Sequence, residues 1–215
     1  MRNLCWISLF VFLLHGCGPV KPGGLHRLRE GMPPPARITA PVFPLDSGVL
    51  FKAAIDIRKH HLSGLLLVKR VMPAGSASPS TRAVFMNEVG MTFFDLELGT
   101  DSTRIVHCFG PLNRKGFISI LDASLRALTW QGLPENPLFY DQPKENRYVA
   151  AGKYRKFNAW QSYSAGRDTL VAAAVKSGPA DGVSVSFGNY SGGFPSRIVI
   201  ENPLTGMVMT LRKVK

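Results

Sequence analysis

Acidic residues are scarce in this chain: 14 Asp and Glu stand against 26 Lys and Arg across 215 residues, a formal net charge of +12. That balance points to anionic partners, with phospholipid and lipopolysaccharide headgroups as candidates beside nucleic acid. The cations are not clustered. They recur as scattered pairs, Lys69-Arg70, Arg114-Lys115, Arg155-Lys156 and Arg212-Lys213, and read as solvated faces or strand ends. Catalytic signatures are missing too, since there is no Gly-Lys-Ser phosphate loop and no internal repeat. The run 188–193, Gly-Asn-Tyr-Ser-Gly-Gly, does not satisfy Gly-x-Ser-x-Gly and reads as a glycine-rich hairpin turn. His60 and His61 are adjacent, so on a strand they point to opposite faces, and no Cys or carboxylate at useful spacing joins them. The expectation is no metal, no cofactor and no enzyme.

Long hydrophobic runs are also absent, apart from one at 4–14, which is too short to span a bilayer. Arg2 precedes it and Leu14-His15-Gly16-Cys17 follows directly. This resembles a bacterial lipobox, which implies cleavage before Cys17 and acylation of its thiol. Residues 1–16 then form a signal peptide. With Cys5 removed and Cys17 acylated, Cys108 is the one thiol left, so no internal disulfide can form. Cys108 lies in a strand-like run and reads as a small buried hydrophobe.

Residues 17–47 lack apolar periodicity and hold Pro19, Pro22, Pro33, Pro34, Pro35, Pro41 and Pro44. This stretch reads as a tether, and at about 3.1 Å per residue it reaches roughly 80 Å from a bilayer. Residues 48–215 are left for one domain with a real core, the whole chain being 45% hydrophobic.

Helical periodicity is rare in that domain. It is clear in one stretch, 113–132, where Phe117, Leu121, Leu125 and Leu128 recur at spacings of four, four and three. Asn113 is the expected N-cap and Gly132 the expected stop. The rest reads as strand and turn, for example Val183, Val185 and Phe187 alternating with Ser184 and Ser186. Leu65, Leu66, Leu67 and Val68 are consecutive and so apolar on both faces, which is unusual for an antiparallel strand with one wet side. Residues 134–146 read as a polar connection. Tyr148, Tyr154, Phe157, Trp160 and Tyr163, interleaved with Lys153, Arg155 and Lys156, imitate a nucleic-acid platform. Lipidation sets nucleic acid aside by placing the domain in the envelope.

The expected fold is α+β: a strongly curved antiparallel sheet, a half-barrel of about ten strands, wrapped on one principal helix. The lipobox, the tether, the meander opening with 51–57 and Ser63-Gly64-Leu65-Leu66-Leu67, the interrupting helix and the second meander together resemble the lipoprotein localisation factor superfamily, the LolA/LolB-like half-barrels. The resemblance implies an apolar cavity for lipoprotein acyl chains. Its walls here would be Leu65, Leu67, Phe93, Phe94, Phe117, Leu121, Leu125 and Leu128, unless these residues simply pack the core. It also implies a membrane-contact loop carrying Met72. The expected partners are membrane lipid through acylated Cys17, then lipoprotein acyl chains, phospholipid or an envelope protein. The expected location is the outer membrane, facing the periplasm. The alternative is a structural or assembly lipoprotein with a filled core that docks an envelope protein.

Overall fold

The computed structural model describes residues 26–27, 43–73, 75, 77–130, 132–155, 157–164, 166, 169–176 and 182–214. The expected signal peptide and most of the expected tether, Cys17 included, lie outside the described residues. In chain order the strands are β1 (His26–Arg27), β2 (Val49–Ile57), β3 (His60–Val71), β4 (Ser80–Met86), β5 (Thr92–Leu98) and β6 (Thr103–Cys108). The helix α1 (Lys115–Thr129) follows. Then come β7 (Glu135–Gln142), β8 (Arg147–Tyr154), β9 (Phe157–Ser164), β10 (Leu170–Lys176), β11 (Gly182–Ser191), β12 (Phe194–Asn202) and β13 (Met207–Lys213).

All the strands join one antiparallel sheet in the order β1-β7-β8-β9-β10-β11-β12-β13-β2-β3-β4-β5-β6. The two meanders meet where β13 pairs with β2. Among the described residues, and apart from the two-residue β1, the sheet has twelve strands, not about ten. One of the added strands is β7, which forms within the stretch read as a connection. It carries Pro137, and its register slips between Glu135 and Leu138, as suits a strand near a sheet edge.

The helix is shorter than the expected stretch 113–132, although it holds the whole apolar pattern. Asn113 does not cap it: Arg114 holds the N-cap position in extended backbone and makes no side-chain cap bond. Asn113 instead closes a short 3-10 turn at Gly110–Leu112. At the other end Trp130 is already extended, and Gly132, with φ 88°, takes a left-handed turn two residues later.

Cross-strand pairing shows which face is inside. Phe51 opposes Leu66, Leu66 opposes Phe85 and Phe85 opposes Phe94. In the other direction Ala53 opposes Leu211, Leu211 opposes Ile198 and Ile198 opposes Phe187. All of these are buried, and α1 crosses the same side over β10, β11 and β12 with Leu121, Leu125 and Leu128 turned inward. Each such fully buried side chain contributes about 1.5–3 kcal/mol. Phe93 and Phe94 both reach the core because a bulge sets the two residues against Phe85, with Phe93 stacked on Phe85 at 5.2 Å. Phe43 and Leu45 precede residue 48, the expected start of the domain, yet they are packed in this core, Phe43 edge-on to Phe194 at 5.1 Å.

The curvature is read from contacts between remote strands. With β10 to β13 and β2 to β4 lying between β9 and β5, Arg155 of the β8–β9 turn still donates to the Gly99 carbonyl after β5, at 3.5 Å. The sheet therefore curls most of the way round, and α1 fills the inside. Two local demands hold this path. Gly64 crosses so close to β4 that a Cβ there would lie 2.0 Å from the Met86 carbonyl oxygen. Gly64→Ala is expected to cost at least about 2 kcal/mol in urea unfolding, whereas Gly188→Ala, which meets nothing within 4 Å, changes little.

The second demand is a buried polar chain: Tyr163 Oη donates to Gln161 Oε1 at 2.7 Å, and Gln161 Nε2 donates to the Gly132 carbonyl at 3.0 Å. Burial pushes the Tyr163 phenol upward and the Tyr190 phenol up to about 12. A phenol whose folded value lies above its ordinary value of about 10 stabilises the fold fully below that pH and loses the contribution as pH rises through the folded value. Stability is therefore expected to decline from about pH 10 upward. A phenolate absorbance titration of the folded chain should show Tyr163 and Tyr190 lagging.

Candidate functional site: the seam beside the helix

The expected cavity residues between helix and sheet are mostly buried. Phe94, Leu121 and Leu125 are 0% exposed and Leu128 is 1% exposed, so the structure brings these four expected cavity residues together as core. Phe117 packs on the rim of the same cluster, and Phe93 joins it through the bulge. Leu65 and Leu67 are placed elsewhere. They alternate with the inward-facing Leu66 and Val68, and so lie half-buried on the outer face of the sheet. Met72 is 63% exposed in the loop after β3, where the resemblance puts a membrane-contact residue.

The open space lies on the other flank of α1. There the β5–β6 turn, β6, the helix and the β8–β9 turn enclose a cleft of about 860 Å³. Its apolar wall is Ile105 of β6, Ile118 of α1 and Phe157 of β9, and its charged rim includes Lys115, Arg155 and Asp101. The volume and the mixture of apolar wall with a few polar groups fall within the range of small-ligand sites.

Arg126 builds the back of the cleft. Its guanidinium donates to Asp122 Oδ1 at 2.7 Å, to the Gly99 carbonyl at 2.8 Å, to Thr103 Oγ1 at 2.9 Å and to the Ser102 carbonyl at 3.0 Å. Thr103 Oγ1 donates in turn to Asp122. The i,i+4 spacing of Asp122 and Arg126 puts both on the polar side of the helix, so this face is fastened to the turn after β5. Arg126 has thus used four of its five donors on the protein. Arg155 makes only the long bond to Gly99 among the described residues, lies 5.8 Å from the centre of the Tyr154 ring, and lines the cleft with Lys115. These two cations beside an apolar wall can hold an anionic head next to a hydrocarbon chain.

The sequence signals for this site were weak. Arg155 and Lys115 each belong to a basic pair that reads as solvated, and Asp122 with Arg126 is the one local clue. The cleft residues arrive from three segments that long-range pairing brings together. Elsewhere His61 Nδ1 pairs with Asp56 Oδ1 at 2.6 Å, both exposed, and among the described residues no three potential metal ligands gather. Cys108 lies half-buried, and burial pushes its thiol up, away from the reactive thiolate form.

No family model matches the chain, and no curated protein does. Among solved structures, a DUF1329 family protein from Desulfovibrio piger is similar with a TM-score of 0.41 at 11% identity, over 80% of this chain and 85% of that one. A domain of a protein assigned to outer-membrane lipoprotein sorting, from Vibrio parahaemolyticus, is similar with a TM-score of 0.40 at 7% identity, over 78% of this chain and 83% of that one.

Proposed function

We propose that this chain is a lipid-anchored, non-enzymatic protein of the outer membrane, facing the periplasm. It is acylated on Cys17 and binds the acyl chains of lipids or lipoproteins to aid their localisation. The observation that carries the reading is the seam cleft of about 860 Å³, apolar along Ile105, Ile118 and Phe157 and cationic at Lys115 and Arg155. The lipobox resemblance of residues 14–17 supports the anchor. The seam is favoured over the interior as the site because the expected wall residues Phe94, Leu121, Leu125 and Leu128 are fully buried.

Native mass spectrometry of the purified protein, before and after solvent extraction, tests this. A lipid mass that leaves with solvent is expected, and Ile118→Glu or Phe157→Glu should reduce loading. A clean mass with no uptake of added lipid or lipopeptide would sink the carrier reading. A second reading would then stand, a structural or assembly lipoprotein that docks an envelope protein. It is favoured by β6, an edge of the sheet among the described residues, where Ile105 and Val106 are 42% and 41% exposed and Phe109 just after it is 40% exposed.

A further inference from the structure

The outer face of the sheet holds a set of residues unrelated to the seam. Arg197 on β12 opposes Arg212 on β13, and Arg212 opposes Lys52 on β2. All three are exposed, and none has an acidic partner among the described residues. Like charges directly opposite one another destabilise a sheet. Two other cations on this face have acidic partners, Arg82 with Asp95 and Arg104 with Glu97.

The same row continues into Leu65 on β3 and Met86 on β4. The neighbouring row sets Leu50, Leu67 and Val84 side by side. Leu50 is 38% exposed, and the other four are half-buried with no second layer over them among the described residues. A hollow of about 300 Å³ lies where the two halves meet, lined by Lys52, Arg212, Ser63, Thr210 and Leu65, with Glu88 on its rim. A row of unanswered cations bordering an apolar strip matches phosphate lying over hydrocarbon.

We propose that this face docks on an anionic phospholipid bilayer, with Arg197, Arg212 and Lys52 on the lipid phosphates and the strip of Leu50, Leu65 and Leu67 at the acyl boundary. Charge complementarity selects this occupant, since each Lys or Arg brought to an anionic membrane strengthens binding about fivefold, or on the order of a hundredfold for three. The doubly apolar β3 has the same explanation: its inner residues serve the core, and its outer ones serve the membrane.

The test uses the full chain with vesicles of phosphatidylcholine alone or mixed with phosphatidylglycerol at about three to one. Amine-reactive footprinting of Lys52 is read by peptide mass spectrometry against Lys144, which is exposed in the connection between β7 and β8. Flotation with the neutral vesicles reads the amino-terminal anchor separately. Modification of Lys52 should slow several-fold on the anionic vesicles while Lys144 is unchanged. Protection should vanish in high salt and in the variant Arg197→Gln/Arg212→Gln, whose melting temperature should not fall because a repulsion is removed. Equal rates on the two vesicles would overturn the proposal. So would protection by inorganic phosphate alone on neutral vesicles, which would make the hollow a small-anion site, or protection that survives in the double variant.

Discussion

Leu125→Ala is expected to cost about 2–5 kcal/mol, a large part of the stability of an ordinary domain. Leu125 is 0% exposed on the inward stripe of α1, between Leu121 and Leu128, which are equally buried against the sheet. Truncation there removes apolar contacts on all sides and leaves a hole that β10 to β12 cannot collapse to fill, because their strands are held by pairing on both edges. Urea unfolding with an unchanged m-value would report that loss. The same experiment separates a packed interior from a ligand chamber. A wall with empty space beside it gives up little when it loses three carbons, so a cost below about 1 kcal/mol would mean that the interior has slack and can take an acyl chain.

Arg126→Met is the second large effect, at about 3 kcal/mol. The Met keeps the apolar stem of the side chain and removes the fork. Asp122 and the carbonyls of Gly99 and Ser102 then lose a donor at a place where Arg126 itself is only 11% exposed. The loss should be local as well as global. Amide exchange should quicken in the β5–β6 turn and along the seam side of α1 more than in β12 and β13. Arg147→Ala is the contrast, because Arg147 and Glu145 are 41% and 49% exposed and such a pair contributes less than about 1 kcal/mol. Equal effects of the two substitutions would remove the claim that Arg126 holds the helix to the turn.

Much of the architecture is legible in the residues. The spacing of Phe117, Leu121, Leu125 and Leu128 finds the helix, and the alternation of Val183, Val185 and Phe187 finds β11 and its inner face. The helix ends are less legible, because Asn113 and Gly132 have capping chemistry but serve neighbouring turns. Strand β7 hides behind Pro137 and Pro143 and a slipped register, which a strand tolerates only near an edge, and edge position is a property of the whole sheet. The facing of Leu65 to Val68 is undecidable from composition. The close crossing of Gly64 on β4 fixes it, and this puts Leu65 and Leu67 outside. The seam is the least legible part, since Ile105, Ile118 and Phe157 meet only once the sheet has curled.

The pairing of β13 with β2 also governs the order of events in folding. Ile57 must find Met207, and Phe51 must find Lys213, across nearly the whole domain. As the chain emerges from its amino end, β2 to β6 can assemble early. Until β13 arrives, β2 presents an open edge beside half of a core that includes Phe51, Ile55 and Phe85. Such distant pairings are slow to form, and an unfilled strand edge is a template for the wrong partner. The half-made sheet is therefore the species that a holding chaperone would recognise, and β13 is the strand whose arrival ends its exposure.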